Sequence, residues 1–333
     1  MSNRGRIVVA VVAVVLLAGV AVGYVRYAAG RAGSSDSAPG GSAGVRVQAG
    51  QLLFRSTAAG PGYGHVAALP LDDLAGSRKI AKPTCTRVYA AAATAGCIRP
   101  DPESIGTYQI AILDRRLRFD QGLPLVGVPS RTRVSPSGRM VAWTVFVTGD
   151  SYNGGKFSTR SGILDTRTGD FVATLEEFTV YLGGHRYTSV DLNFWGVTFA
   201  ADDNEFYATM STRGRTYLVR GDLRKRTVRT LRSNLECPSL SPDGKRLAFK
   251  KRVGGDSDKP WRLYVLDLAT MRETPLSERR GLDDQAAWLD DHTVAYAIPR
   301  GDRHADIWAV PADGSGSPRK VVRDGESPAP VLT

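Results

Sequence analysis

One recurrence constrains this chain more than any other feature. An apolar stretch, a tight turn, an alternating strand, a longer loop and a strand ending in aspartate follow one another repeatedly from residue 47 onward. The clearest copy runs from Pro238 to Leu276. There Pro238-Ser239-Leu240 leads into the turn Ser241-Pro242-Asp243-Gly244, then the strand Lys245 to Lys250, a loop, and the strand Trp261 to Leu268. Proline presets φ at the second turn position, and glycine takes the backbone conformation that other residues avoid. Related turns stand at Ser135-Pro136-Ser137-Gly138, Ala201-Asp202-Asp203-Asn204 and Leu289-Asp290-Asp291-His292. The strand-ending aspartates Asp72, Asp114, Asp165, Asp222, Asp267 and Asp313 form a second ruler, with intervals of 42, 51, 57, 45 and 46 residues. Six units of this period predict an all-β fold, a six-bladed β-propeller of four-stranded blades. Alternation alone would also suit a sandwich; the fixed period favours the ring.

Ring closure is written at the two ends of the repeat region. The first unit starts at a second-type strand, Leu52-Leu53-Phe54, without its apolar lead-in. Glu326-Ser327-Pro328-Ala329-Pro330-Val331 parallels Glu236-Cys237-Pro238-Ser239-Leu240-Ser241. The C-terminal segment is therefore expected to complete the first blade and leave no open edge.

The turn Ser241-Pro242-Asp243-Gly244 followed by Lys245-Arg246-Leu247-Ala248-Phe249, with an aspartate closing the third strand, resembles the TolB-like propeller repeat. The resemblance spans residues 47–333, is strong in the third and fifth units and degraded elsewhere. It implies a six-bladed propeller used as a binding platform. An arginine-rich chain behind a signal anchor is also similar to exported TolB-like proteins of actinobacterial type.

Ahead of the repeats, residues 7–25 (Ile7 to Val25) are uncharged and nearly all apolar. At ~1.5 Å per residue such a segment reaches across a bilayer as a helix. Arg4 and Arg6 precede it, Arg26 and Arg31 follow, and the start of the chain tips the N-terminus inward. The expected organisation is a cytoplasmic tail at 1–6, a transmembrane signal anchor at 7–25, a flexible linker at 26–46 and a propeller at 47–333. The alternative is a cleaved signal peptide ending near the Ala-rich Tyr27 to Gly30; both readings export the propeller from the cytoplasm. The linker contains Gly40-Gly41-Ser42-Ala43-Gly44. A nucleophile elbow needs a strand before the serine and a helix after it, and this Gly/Ser composition forms neither.

The net charge is +11, with 35 Arg against 9 Lys. The charge is scattered without an aromatic-interleaved basic stripe, so no nucleic-acid partner is expected. Four histidines, His65, His185, His292 and His304, show no zinc spacing, and no phosphate loop or catalytic Cys/His spacing occurs. Hence no cofactor and no enzyme activity is expected; propeller peptidases need a hydrolase domain for which the ring leaves no residues. Cys85 and Cys97 flank a hairpin in a chain expected to meet oxidising conditions. They face one another if its turn centres near Ala91, and not if it centres near Thr94. Cys237 reads as a small buried apolar residue.

Short turns connect first to second and third to fourth strands, so they share one face of the disc and longer loops gather on the other. Function in such scaffolds concentrates on extended loops. The loop residues Tyr152, Lys156, Tyr181, His185, Arg186, Tyr187 and Trp261 are partner-binding candidates by their aromatic and basic chemistry. Aligning the blade-leading strands puts Glu236, Asp284 and Glu326 in register, predicting three carboxylates at one channel mouth. A cation, ordered water or basic side chains would compensate them, and oxygen ligands would suit Ca²⁺. The expected role is a single-pass membrane protein whose extracytoplasmic propeller binds another cell-envelope protein. The alternative is a propeller enzyme or lectin acting on a cell-wall glycan or peptide in its central pocket.

Overall fold

The computed structural model describes residues 44–147, 158–254 and 260–332. The apolar run at 7–25 lies outside them, and no helix among the described residues is long and apolar enough to cross a membrane. The repeat folds as a six-bladed β-propeller. The first blade takes β1 (Gln51–Ser56), β2 (His65–Pro70) and β3 (Lys79–Thr84). The second is β4 (Arg87–Ala91), β5 (Thr94–Pro100), β6 (Tyr108–Leu113) and β7 (Phe119–Leu125). The third is β8 (Val128–Val134), β9 (Met140–Val147), β10 (Ser158–Asp165) and β11 (Phe171–Val172). A hairpin, β12 (Thr179–Leu182) and β13 (His185–Tyr187), precedes the fourth blade, β14 (Asn193–Phe199), β15 (Glu205–Thr212), β16 (Arg215–Asp222) and β17 (Thr227–Ser233). The fifth is β18 (Glu236–Leu240), β19 (Arg246–Arg252), β20 (Trp261–Asp267) and β21 (Glu273–Pro275). The sixth is β22 (Ala287–Trp288), β23 (Thr293–Arg300), β24 (His304–Pro311) and β25 (Arg319–Val322), and the chain ends in β26 (Gly325–Val331). β26 pairs antiparallel with β1, from Gln51 opposite Val331 to Ser56 opposite Gly325, and closes the ring as the C-terminal repeat predicts.

Alternation along each strand builds the ring because successive side chains point to opposite faces. In β1, Leu53 packs toward the second blade, whereas Leu52 and Phe54 pack toward the sixth. In β6, Ala111 and Leu113 face the first blade while Ile110 and Ile112 face the third. The buried apolar residues thus divide into six clusters, one at each interface between neighbouring blades. Glycine appears where a neighbouring ring needs the space. A Cβ at Gly221 would sit 2.0 Å from the Phe206 ring, on the residue paired opposite it.

Two features depart from the sequence expectation. The segment holding the expected loop residues Tyr181, His185, Arg186 and Tyr187 instead forms the β12–β13 hairpin. β12 pairs parallel with β17 and extends the fourth blade to six strands at the outer rim. The second blade's leading hairpin turns at Ala92-Ala93, between the two centres considered, so Cys97 pairs with Val88. Cys85 stands just ahead of β4, and the disulfide to Cys97 closes with the Cα atoms 5.4 Å apart.

The first described residues join the propeller at the short-turn face. The Val47 amide donates to the Arg115 carbonyl at 2.8 Å, in the turn between β6 and β7, and the Gly50 amide donates to the end of β26 at Val331. The long-loop face lies on the other side of the disc.

Candidate functional site

Inner strands of a propeller approach the axis, and here a repeated backbone irregularity sets what they present there. Cys237 has φ of 50° and Ser327 of 53°, both inside bulges in the pairing of an inner strand with its neighbour. Gly196 has φ of 68° in the corresponding bulge of β14. Only glycine escapes a steric cost in this region, and a bulge re-aims the residues beside it. The residues just before the three kinks are Trp195, Glu236 and Glu326. Gly196 is also constrained by space, because a Cβ there would lie 2.9 Å from the Cys237 Cα.

Around Trp195 and Glu236 the long-loop face opens into a recess of about 280 Å³. Its apolar walls are Phe146, Trp195 and Trp261; its polar lining includes Ser130, Arg131, Thr159, Glu236, Lys250 and Asp283. These come from the third to sixth blades, so no single repeat contains the site. Lys250 is 3% exposed, donates to the Asp283 carboxylate and lies 4.7 Å from the Trp261 ring centre. Burial opposes its charge, but Cys237 and then the Asp283 carboxylate raise its pKa above the ordinary value. The free thiol of Cys237 is pushed up by burial and stays protonated at neutral pH.

Beside the recess the axial channel is lined by arginine. Glu326 accepts from Arg55 at 2.9 Å and from Arg87 at 3.2 Å. Asp284 stands 3.6 Å from Arg131 and accepts from the Ala297 amide at 3.3 Å. Burial and then the Arg131 charge lower the Arg87 pKa, whereas Arg131, more buried still, is raised because Asp284 and other acidic groups outweigh its desolvation. Arginines therefore stand where the register of Glu236, Asp284 and Glu326 had suggested a cation for two of these carboxylates. Among the described residues no group of three His, Cys, Asp or Glu converges as a metal site. Glu236, the third, is 5% exposed, lines the recess, and its carboxylate has no hydrogen bond or ion pair among the described residues.

At the opposite end of the channel, on the short-turn face, a funnel of about 250 Å³ includes Tyr89, Arg133, Tyr207, Trp288, Pro330 and Leu332 in its lining. Arg133 stacks 4.1 Å from the Tyr89 ring and Arg246 stacks 5.4 Å from Trp288, so arginines cover two of its aromatic rings.

Of the partner-binding candidates, Trp261 falls in the recess. Tyr181, His185, Arg186 and Tyr187 lie together on the rim hairpin instead, with Tyr181 under Arg229 at 4.3 Å and the Tyr187 hydroxyl 2.9 Å from Thr212 Oγ1. Tyr152 and Lys156 lie outside the described residues. Sequence reasoning missed Phe146, Trp195 and Lys250. The signal for Trp195 was present in the Trp195-Gly196 step, aligned with Glu236-Cys237 by its bulge rather than by its letters.

Among solved structures, TolB from Acinetobacter baumannii matches with a TM-score of 0.56 at 17% identity, covering 84% of this chain and 66% of that one. The fold is that of a TolB-like β-propeller. This chain spans just under two thirds of that TolB chain, covering 66% of its length. A chain of a nidogen/laminin complex matches with a TM-score of 0.55 at 12% identity, over 85% of this chain and 99% of the other. A puromycin-hydrolyzing peptidase of Mycobacterium tuberculosis gives 0.47 at 17% identity, over 84% and 44%. No protein-family model and no curated protein matches this chain.

Proposed function

We propose that this TolB-like propeller is anchored in the cell membrane by residues 7–25, lies outside the cytoplasm, and binds a protein of the cell envelope through its long-loop face. The observation that carries the reading is the recess built by Phe146, Trp195 and Trp261 around buried charges, on the face opposite the one where the chain joins the propeller. Large aromatic groups in a concave, partly charged setting are the usual anchors of protein recognition. The Cys85–Cys97 bridge suits an oxidising compartment, and therefore export. The nidogen/laminin neighbour is a propeller-matching chain from a protein complex, which accords with a binding role.

Crosslinking of the tagged full chain in its native envelope, followed by identification of the adducts, tests the reading. A recurrent envelope protein supports it. Recovery of no protein, together with turnover of a wall fragment by the purified protein, would favour an enzyme acting on a wall glycan or peptide instead.

A further inference from the structure

Glu236 and Glu326 occupy the same place in the repeat, each just ahead of a left-handed residue and each opposite a basic residue of the neighbouring strand. In the first blade that ladder partner, Arg55, bridges Glu326 at 2.9 Å. In the fifth blade the ladder partner is Lys250, but its ammonium is committed to Asp283 and to the face of Trp261. The basic residue is kept and turned away, so Glu236 remains buried beside a cavity without a partner. Its oxygens are not sealed off and face the cavity, where an ammonium would form a charge-assisted hydrogen bond with them.

What would compensate it follows from the rest of the lining. The charged lining, Glu236 and Asp283 against Lys250 and Arg131, balances, and Lys250 is paired with Asp283, so Glu236 is the carboxylate left facing the cavity without a cation of its own. Trp195 offers an aromatic face, which attracts a cation and accepts an alkyl stem; Phe146 and Trp261, the latter already beside Lys250 and Arg252, complete the walls. The volume of about 280 Å³ lies just below the ~300 to 1,000 Å³ usual for small-molecule pockets and suits a single side chain.

We propose that the recess is an ammonium-binding subsite, in which Glu236 receives the amine of a peptide, carried on a lysine side chain or a free amino terminus. The assignment deepens the binding role of the long-loop face and rests on it. Glu236 supplies the charge, the aromatic walls the stem contacts, and Lys250, already paired, does not compete. The partner's ammonium would then stand toward Glu236 as the Arg55 guanidinium stands toward Glu326.

Titration calorimetry on the full chain with Nα-acetyl-lysine amide, its Nε-acetylated counterpart and alanyl-alanine amide tests this without knowledge of the partner. The lysine probe should bind roughly tenfold or more tightly than its Nε-acetylated form, as the loss of a charge-assisted hydrogen bond requires. Binding of alanyl-alanine amide in its place assigns the subsite to an amino terminus. Glu236→Gln should abolish the preference for charge. Equal binding of charged and neutral probes by the native chain, binding of no probe, or a preference that survives Glu236→Gln in a folded variant would overturn the assignment. The native-chain comparison decides even where the variant fails to fold. A crosslinked partner recovered alongside a negative titration removes only this subsite; a positive titration with no partner removes only the scaffold role.

Discussion

At the scale of single residues, buried charge governs the predictions. Glu278 is buried, and its carboxylate accepts from Arg280 and from the Tyr296 hydroxyl at 2.7 Å. Burial alone would raise its pKa, but the Arg280 and Tyr296 bonds outweigh that and hold it low. Its folded pKa therefore lies below the unfolded value of about 4.3, so its contribution is complete above that pH and is lost as acid titrates the folded group. Glu278→Gln should cost about 1 to 3 kcal/mol near neutrality and flatten the loss of stability below about pH 4, read by chemical denaturation across pH. An unchanged acid limb would show that Glu278 is not depressed. Cys85 and Cys97 make a second residue-scale test. Denatured but unreduced protein should expose one reactive thiol, Cys237, rising to three on reduction. The bridge closes a short loop and is worth roughly 3 kcal/mol by loop entropy. Its pairing was open in the sequence because it turned on where the hairpin reverses, and the actual reversal at Ala92-Ala93 matched neither register considered.

At the scale of elements, the strands that lie between two blades tolerate the least change. Gly221→Ala places a methyl group against the Phe206 ring, where the Cβ would approach within 2.0 Å. The ring is fully buried in the interface of the third and fourth blades and cannot yield without opening it. A loss of about 1 to 3 kcal/mol is expected by thermal denaturation, typical of overpacking. Wild-type stability would mean the two strands separate more easily than this pairing implies. The elements were mostly legible in advance, since turn, alternation and terminal aspartate recur with the chain's own period. The β12–β13 hairpin was not. Its residues carry no repeat signal, and its place was settled by parallel pairing to β17, a contact with residues 48 positions further along the chain.

At the scale of the whole molecule, closure and the binding face belong together, because the recess exists only when separate blades meet around an axis. Removing residues 326–333 deletes most of β26 and leaves the β1 edge unpaired. The truncated chain should lose its cooperative melt and aggregate, checked by scanning calorimetry and light scattering. A native-like transition would show that the C-terminal strand is dispensable as a clasp. The ring itself could be read from the period, and so could the shared register of Glu236 and Glu326. The recess could not, because Phe146, Trp195, Glu236 and Lys250 become neighbours through bulges and blade order rather than through sequence spacing. The most direct measurement of the account is a pair of photo-crosslinks in the native envelope, with the reactive residue placed at Trp195 in the recess or at Asp290 on the short-turn face. Adducts to one envelope protein from position 195 and none from position 290 are predicted. Adducts from position 290 alone, or equally from both, would contradict binding through the long-loop face.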